Sequence, residues 1–391
     1  MLEFVQSLLD EACCRRPVQE APRAATRQSS GSDRARDSTR PKGEVMKAAV
    51  YSRPGVVEVV DWPEPVPGPG QAKIKIAYAG ICGSDIESIH HRFGYQAVGL
   101  SWNGEPPVSK EPVPEGHEAT GTIVELGPDF KGDWKVGQRV ALNFIGSCGV
   151  CYYCRTKREH YCEHASWATG VFAEYALFPE GGLYAIPDDV PFELAALVEP
   201  LSVALHAVDR TDIVNGQTLA ILGGGTIGQL ALAVAVNRGA GKILVSEPMA
   251  HKREIALRAG ADMVVDPLTE DLVAASMKLT DGRGFDGVID LSGKVKAAEQ
   301  ALDLVDKCGT IVWVSVYPYD AVVPVRPFQM YLKETTIRSA VISPYGFTRT
   351  VRLLPKLNVG HLVTNIFPLD KIAEGFANHE KGESIKTLIK M

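Results

Sequence analysis

The sequence contains no run approaching the ~18 consecutive apolar residues of a membrane-spanning helix, so an integral helical membrane protein is not expected. It also lacks an excess of positive charge. With 41 Lys and Arg against 47 Asp and Glu, the net charge is −6, and no overall basic field is present to hold nucleic acid or an anionic bilayer. There are no internal repeats, and the length of 391 residues is far beyond a peptide hormone or a small disulfide scaffold. What remains is the composition of a soluble globular protein, 45% hydrophobic and 23% charged. At roughly 100 to 200 residues per domain it should have two or three domains. The expected partner is a small molecule.

Residues 1–45 differ from the rest. From Pro17 to Gly43 the only large aliphatic or aromatic residue is Val18, and a segment this poor in apolar side chains cannot offset the entropy of ordering. It is read as a disordered extension. Glu3, Asp10 and Glu11, without an early positive cluster, argue against a secretory signal, and the acids also weaken a transit-peptide reading. Lys42-Gly43-Glu44-Val45 can be encoded AAA-GGA-GAA-GTN, a purine-rich ribosome-binding sequence, so translation is expected to start at Met46. The first 45 residues hold eight basic and seven acidic side chains, which leaves −7 on the remainder.

After Met46 the pattern is regular. Lys47 to Tyr51, Val56 to Val60 and the alternating Ala72 to Ile76 read as strands, separated by the Pro- and Gly-rich loop Pro63 to Gly70. Beyond Phe192 strands and helices alternate: Thr218 to Leu222, Gly228 to Asn237, Lys242 to Ser246, His251 to Ala259 and Met263 to Val265. Gly287 to Leu291, a helix from Val295 to Asp306, and Thr310 to Val316 continue the series. This predicts an α/β fold with a parallel sheet and crossover helices behind a β-rich first part.

Gly223, Gly225 and Gly228 fit G-x-G-x-x-G, with Thr226 and Ile227 between the last two glycines. The motif follows an apolar strand and opens an apolar helix, where free N–H groups and the helix dipole can hold a pyrophosphate. Nineteen residues after Gly228 stands Glu247, whose carboxylate suits a ribose diol and repels a 2′-phosphate, which favours NAD over NADP. Lys252 and Arg253 are close enough in sequence to reach an adenosine phosphate, or are solvated helix charges.

Cys148, Cys151, Cys154 and Cys162 give C-x2-C-x2-C-x7-C, four soft ligands within fifteen residues, suited to a closed, structural zinc site. Cys82, His117 and Glu199 offer a second set of donors, of the kind that hold a Lewis-acid zinc with an open position. Each also has an ordinary structural role available, as a buried small hydrophobe, a core histidine and a helix N-terminal acid. Spacing alone does not separate these readings. Of the remaining cysteines, Cys308 is most simply a core residue.

In order along the chain, G-I-C-G-S-D at 80–85, G-H-E-A-T-G at 116–121, the four-cysteine segment, E-P-L-S-V at 199–203 and G-G-G-T-I-G at 223–228 resemble the zinc-dependent medium-chain dehydrogenase/reductase superfamily. Within it the likeness is to the sorbitol dehydrogenase and 2,3-butanediol dehydrogenase branch, over essentially the whole chain from Met46. The resemblance implies a Rossmann nucleotide-binding domain (200–335) inserted between two parts (46–199 and 336–391) of a GroES-like β-rich catalytic domain. It implies that Cys82 and His117 are catalytic zinc ligands, with Glu118 and Glu199 the acidic members of that shell, and that each chain binds two zinc ions. It further implies NAD-linked oxidation of a secondary alcohol or polyol to the ketone, and the reverse. The hydroxyl proton leaves through Ser84 and the hydride goes to the nicotinamide. A cytoplasmic homodimer or homotetramer is expected.

At position 87, where the family usually places a histidine, stands Glu87. A carboxylate can relay protons, but at neutral pH it holds one only if its surroundings favour the neutral form. His90 or His91 could act instead. Between Cys82 and His117 lie 34 residues, and the excess from Phe93 to Pro114, with Trp102, Asn103 and Gly104, is expected to line the substrate cleft. Threonine dehydrogenases and dehydrogenases of bulky cyclic alcohols are the alternatives within the family, E-P-L-S-V favouring the polyol side. A zinc-free quinone reductase should lack these cysteines and His117, and a zinc-dependent nucleic-acid-binding protein would need a basic face.

Overall fold

The computed structural model describes residues 44–90, 113–318 and 320–391. The extension up to Gly43, His91 and most of the Phe93 to Pro114 insert lie outside the described residues. The strands are β1 (Val45–Arg53), β2 (Val56–Pro63), β3 (Gln71–Gly80), β4 (Glu118–Leu126), β5 (Arg139–Leu142), β6 (Ile145–Gly146), β7 (Ser166–Trp167), β8 (Tyr175–Pro179) and β9 (Leu183–Ala185). After them come β10 (Thr218–Leu222), β11 (Lys242–Ser246), β12 (Met263–Val265), β13 (Phe285–Asp290), β14 (Val305–Trp313), β15 (Thr336–Ser339), β16 (Val363–Pro368) and β17 (Lys386–Lys390).

Strands β10 to β15 form one parallel sheet in the order β12-β11-β10-β13-β14-β15. Order 3-2-1-4-5-6 is that of a dinucleotide-binding fold, in which ligands lie beyond the carboxyl ends of the central strands. Helices cover both faces, which explains why these strands read as unbroken apolar runs. Leu219 and Ile221 pack on one side with Leu201, Leu205 and Leu230, and Ala220 and Leu222 on the other with Phe285, Leu304 and Ile311.

The other large sheet runs β16-β17-β3-β4-β5-β9, with β8 also paired to β3. Its pairs are antiparallel except β16 with β17. Its core holds Ile74, Ile81, Ile123, Leu142, Phe172 and Phe178, all fully buried. Strand β17 comes from the end of the chain and pairs Leu388 with Gly80 and Ile389 with Ala79, so the last strand lies beside the first residues of the G-I-C-G-S-D segment.

The sequence boundaries of β10, β11 and β12 coincide with the observed ones. Two readings need correcting. The helix from Val295 ends at Leu304, because Val305 already pairs with Phe285 as part of β14. Cys308 is exposed and not a core residue; it sits at φ +59 within β14, where the register with β13 slips between Val305 and Thr310 and the strand turns its side chain outward.

Candidate active site

The helix Gly83–Ile89 begins directly after β3, with Cys82 as its N-cap. Asp85, three residues on, accepts from the Cys82 backbone N–H at 2.8 Å, the reciprocal half of a capping box. Asp85 is buried, and its other oxygen lies 3.5 Å from Nδ1 of His117. One carboxylate therefore fixes both the helix start that presents Cys82 and the ring of His117. It leaves Nε2 facing the opposite way, 3.5 Å from the Ser84 hydroxyl. His117 itself enters through Gly116 at φ +91, where a Cβ would meet the Phe172 ring at 2.7 Å.

Ligand atoms of Cys82, His117 and Glu118 lie within 4.8 Å of one another. Glu199, on the first turn of the helix Val198–Asp209, stands outside that set but is buried and feels both Glu118 and His117. Burial, then the neighbouring Glu118, pushes its carboxyl up to about 7. Two neighbouring buried carboxylates resist joint ionisation, and a divalent metal ion among these sulfur, nitrogen and oxygen donors relieves that conflict. The residues fit a zinc ion.

Glu118 is also ion-paired with Lys386, which sequence reasoning missed. Both side chains are 1% exposed, and the ammonium donates to the Ile81 carbonyl at 2.8 Å. Burial alone would lower the lysine pKa, but Glu118 and Cys82 more than reverse this and hold it charged. No short stretch of sequence marks it, because its partner lies on a distant strand. Asp85 was likewise passed over, as was Glu115, which burial and Asp85 push up to about 7.

Glu87 is half-buried on the same helix, and its carboxylate makes no hydrogen bond or ion pair among the described residues. The structure does not link it to Ser84. His90 instead pairs with Glu380 at 2.9 Å.

The four cysteines form a compact group around the short helix Tyr152–Arg155, as free thiols with no disulfide. Sulfur separations are 3.5 Å for Cys151–Cys154 and 3.9 Å for both Cys148–Cys154 and Cys151–Cys162. Thiolates at ~2.3 Å from a tetrahedral zinc stand about 3.8 Å apart, so the group already has the right size. Backbone N–H groups of Cys148 and His164 donate toward the Cys162 sulfur at 3.3 Å. The lobe rests against Tyr345, whose hydroxyl donates to the Cys154 carbonyl at 3.2 Å.

In the parallel sheet, Gly225 is the N-cap of the helix Thr226–Arg238. Glu247, just past β11, accepts from Gly224 N–H at 2.8 Å and from Met249 N–H at 2.9 Å, so its carboxylate stands at the glycine turn. Lys252 is buried with no hydrogen bond or ion pair for its ammonium among the described residues, and desolvation lowers its pKa while Glu247 opposes this. Arg253 is committed elsewhere, to the Glu247 and Pro248 carbonyls at 2.7 Å and to Asp266 at 3.3 Å. Next to Ile227, the Thr226 hydroxyl donates to the carbonyl of Ile385.

Comparison with known proteins places these features. Residues 68–188 match the alcohol dehydrogenase GroES-like domain, and residues 226–355 match the zinc-binding dehydrogenase domain. The chain is 34% identical over 362 residues to the L-threonine 3-dehydrogenase of Pyrococcus horikoshii, covering 88% of this chain and 98% of that protein. It is 32% identical over 356 residues to the sorbitol dehydrogenase of Halalkalibacterium halodurans, covering 88% and 99%. Among solved structures, a protein of Sinorhizobium meliloti assigned as a zinc-binding dehydrogenase, bound to NADP, superposes with a TM-score of 0.81 at 30% identity, over 89% of this chain and 100% of that one. The chain belongs to the zinc-dependent medium-chain dehydrogenase/reductase superfamily, oxidoreductases acting on CH–OH donors.

Proposed function

We propose that the protein oxidises a secondary alcohol or polyol to the ketone with NAD, reversibly. The approach of Cys82, His117 and Glu118 donors within 4.8 Å of one another, beside buried Glu199, carries this reading. Cys82 and His117, with a carboxylate from Glu118 or Glu199, would hold one zinc ion and the four-cysteine lobe a second. When bound, the first zinc supplies Lewis-acid polarisation of the alcohol oxygen. Ser84 receives the hydroxyl proton. Asp85 keeps His117 oriented through Nδ1. The N-terminus at Gly225 holds the pyrophosphate, and Glu247 binds the ribose diol in place of the two backbone donors it now accepts. Unpaired Lys252 lies against the same carboxylate field and completes the contacts to the adenosine half.

The division into a catalytic part (46–199 with 336–391) around a nucleotide-binding part (200–335) belongs to this proposal, supported by the two separate sheets. So does self-association. In the segment that leads into β15, Val322, Phe328 and Tyr331 are 76%, 71% and 76% exposed, and among the described residues β15 pairs only with β14. An open sheet edge flanked by exposed aromatics suits a second copy. Among the described residues no helix is long and apolar enough to cross a membrane.

L-threonine, itself a secondary alcohol, is the second reading, favoured by the 34% identical relative. An NADH-absorbance screen over 2,3-butanediol, sorbitol, xylitol, threonine, inositol and hydroxysteroids tests both. A turnover rate on butanediol or a polyol above that on threonine supports the first; the opposite order overturns it.

A further inference from the structure

Lys386 bridges the two segments that carry the metal donors. It is ion-paired to Glu118, the residue after His117, and donates to Ile81, the residue before Cys82. Gly80 makes room for this arrangement, since a Cβ there would overlap both Glu118 Oε2 and Lys386 Cε. A fully buried ion pair contributes little net stability, because desolvating both charges offsets their attraction; well-packed apolar residues of similar volume do as well or better. The pair therefore calls for a functional account.

Glu118 has two competing cations within reach: the ammonium it now faces, and a metal ion held by Cys82 and His117. We infer that Lys386 is a positioning residue that holds the Glu118 carboxylate back from the metal, leaving Glu199 as the acidic donor. Withdrawing one anionic ligand leaves more positive charge on the ion and weakens its retention, so the lysine trades metal affinity for Lewis acidity. The inference rests on the reading of Cys82 and His117 as metal ligands.

The test is transfer of zinc from the full-length, zinc-loaded protein to a chromophoric chelator. The kinetic phase that vanishes in Cys82→Ser belongs to this site. In Lys386→Met that phase slows on the order of tenfold, and Lys386→Gln, which keeps a donor but no charge, slows it as well. Lys386→Arg retains the original rate. In a Glu118→Gln background Lys386→Met has no further effect. In the cobalt-substituted protein the visible absorption of the site shifts in Lys386→Met and not in the double variant. Since Lys386→Met leaves a buried carboxylate unpaired and can fail to fold, Lys386→Gln carries the test in that event. A phase that is unchanged or faster in the single variants, or an effect that persists without Glu118, overturns the inference. If no phase vanishes in Cys82→Ser, the ligand assignment itself fails and the inference falls with it.

Discussion

The α-carbon of Gly228 packs directly against the carbonyl of Gly223, so that a Cβ at position 228 would overlap that oxygen, while nothing lies within 4 Å of a Cβ at Gly225. Two glycines of one motif thus answer to different constraints. Gly228→Ala should lower stability because helix and turn must separate. Gly225→Val, at an ordinary negative φ, should fold with little change in melting temperature yet lose dinucleotide binding. Thermal melts with and without NAD separate the two outcomes.

Metal content distinguishes the two proposed zinc sites. Zinc analysis of the purified protein should give about two ions per chain. Cys82→Ser should keep one ion, fold normally and lose alcohol oxidation. Cys151→Ser should lose the other ion and lower Tm by at least about 5 °C, because the lobe has little apolar core beyond its own sulfurs and Tyr153 and Ala165.

The proposed coenzyme preference is tested at Glu247. Glu247→Ser removes the carboxylate proposed to bind the ribose and leaves Lys252 as the local charge. The ratio of kcat/KM for NAD over NADP should fall at least about tenfold. An unchanged ratio would place the discrimination elsewhere.

The relay role of Glu87 is decided by a pH profile. If it passes the proton onward, Glu87→Gln slows oxidation and shifts the profile of kcat. If the profile keeps its shape, the proton leaves by another route, and His90→Gln is the next variant to measure.

His379 makes the fold acid-sensitive. Burial lowers its pKa to about 4, with Lys386 and Lys252 adding to this and Asp85 opposing it. The unfolded chain, with a histidine near 6.5, then binds more protons than the folded one between about pH 4 and 6.5, so its contribution to stability is complete above pH 6.5 and is lost as pH falls. His379→Gln should flatten the dependence of Tm on pH across that window.

Much of this was legible because it is local. The glycine turn, its flanking strand and helix, and the four cysteines each occupy a short stretch, and β10, β11 and β12 are apolar runs bounded by turn residues. Lys386 was not legible. Its role depends on β17 returning to pair with β3, and no short-range pattern marks a lysine whose partner is Glu118. Cys308 failed for the opposite reason: hydrophobic residue type suggested burial, whereas Asp306 and Gly309 around it are turn formers.

Because β17 completes the sheet begun by β3, the candidate site has a history in time. Ile81 and Lys386, which share a hydrogen bond, are separated by 305 residues of chain. At a synthesis rate of roughly 5 to 20 residues per second, Cys82 leaves the ribosome about 15 to 60 seconds before the lysine that closes over its neighbours. Throughout that interval Cys82, His117 and Glu118 precede the strand that covers them, and Glu118 lacks the ammonium it pairs with in the finished fold.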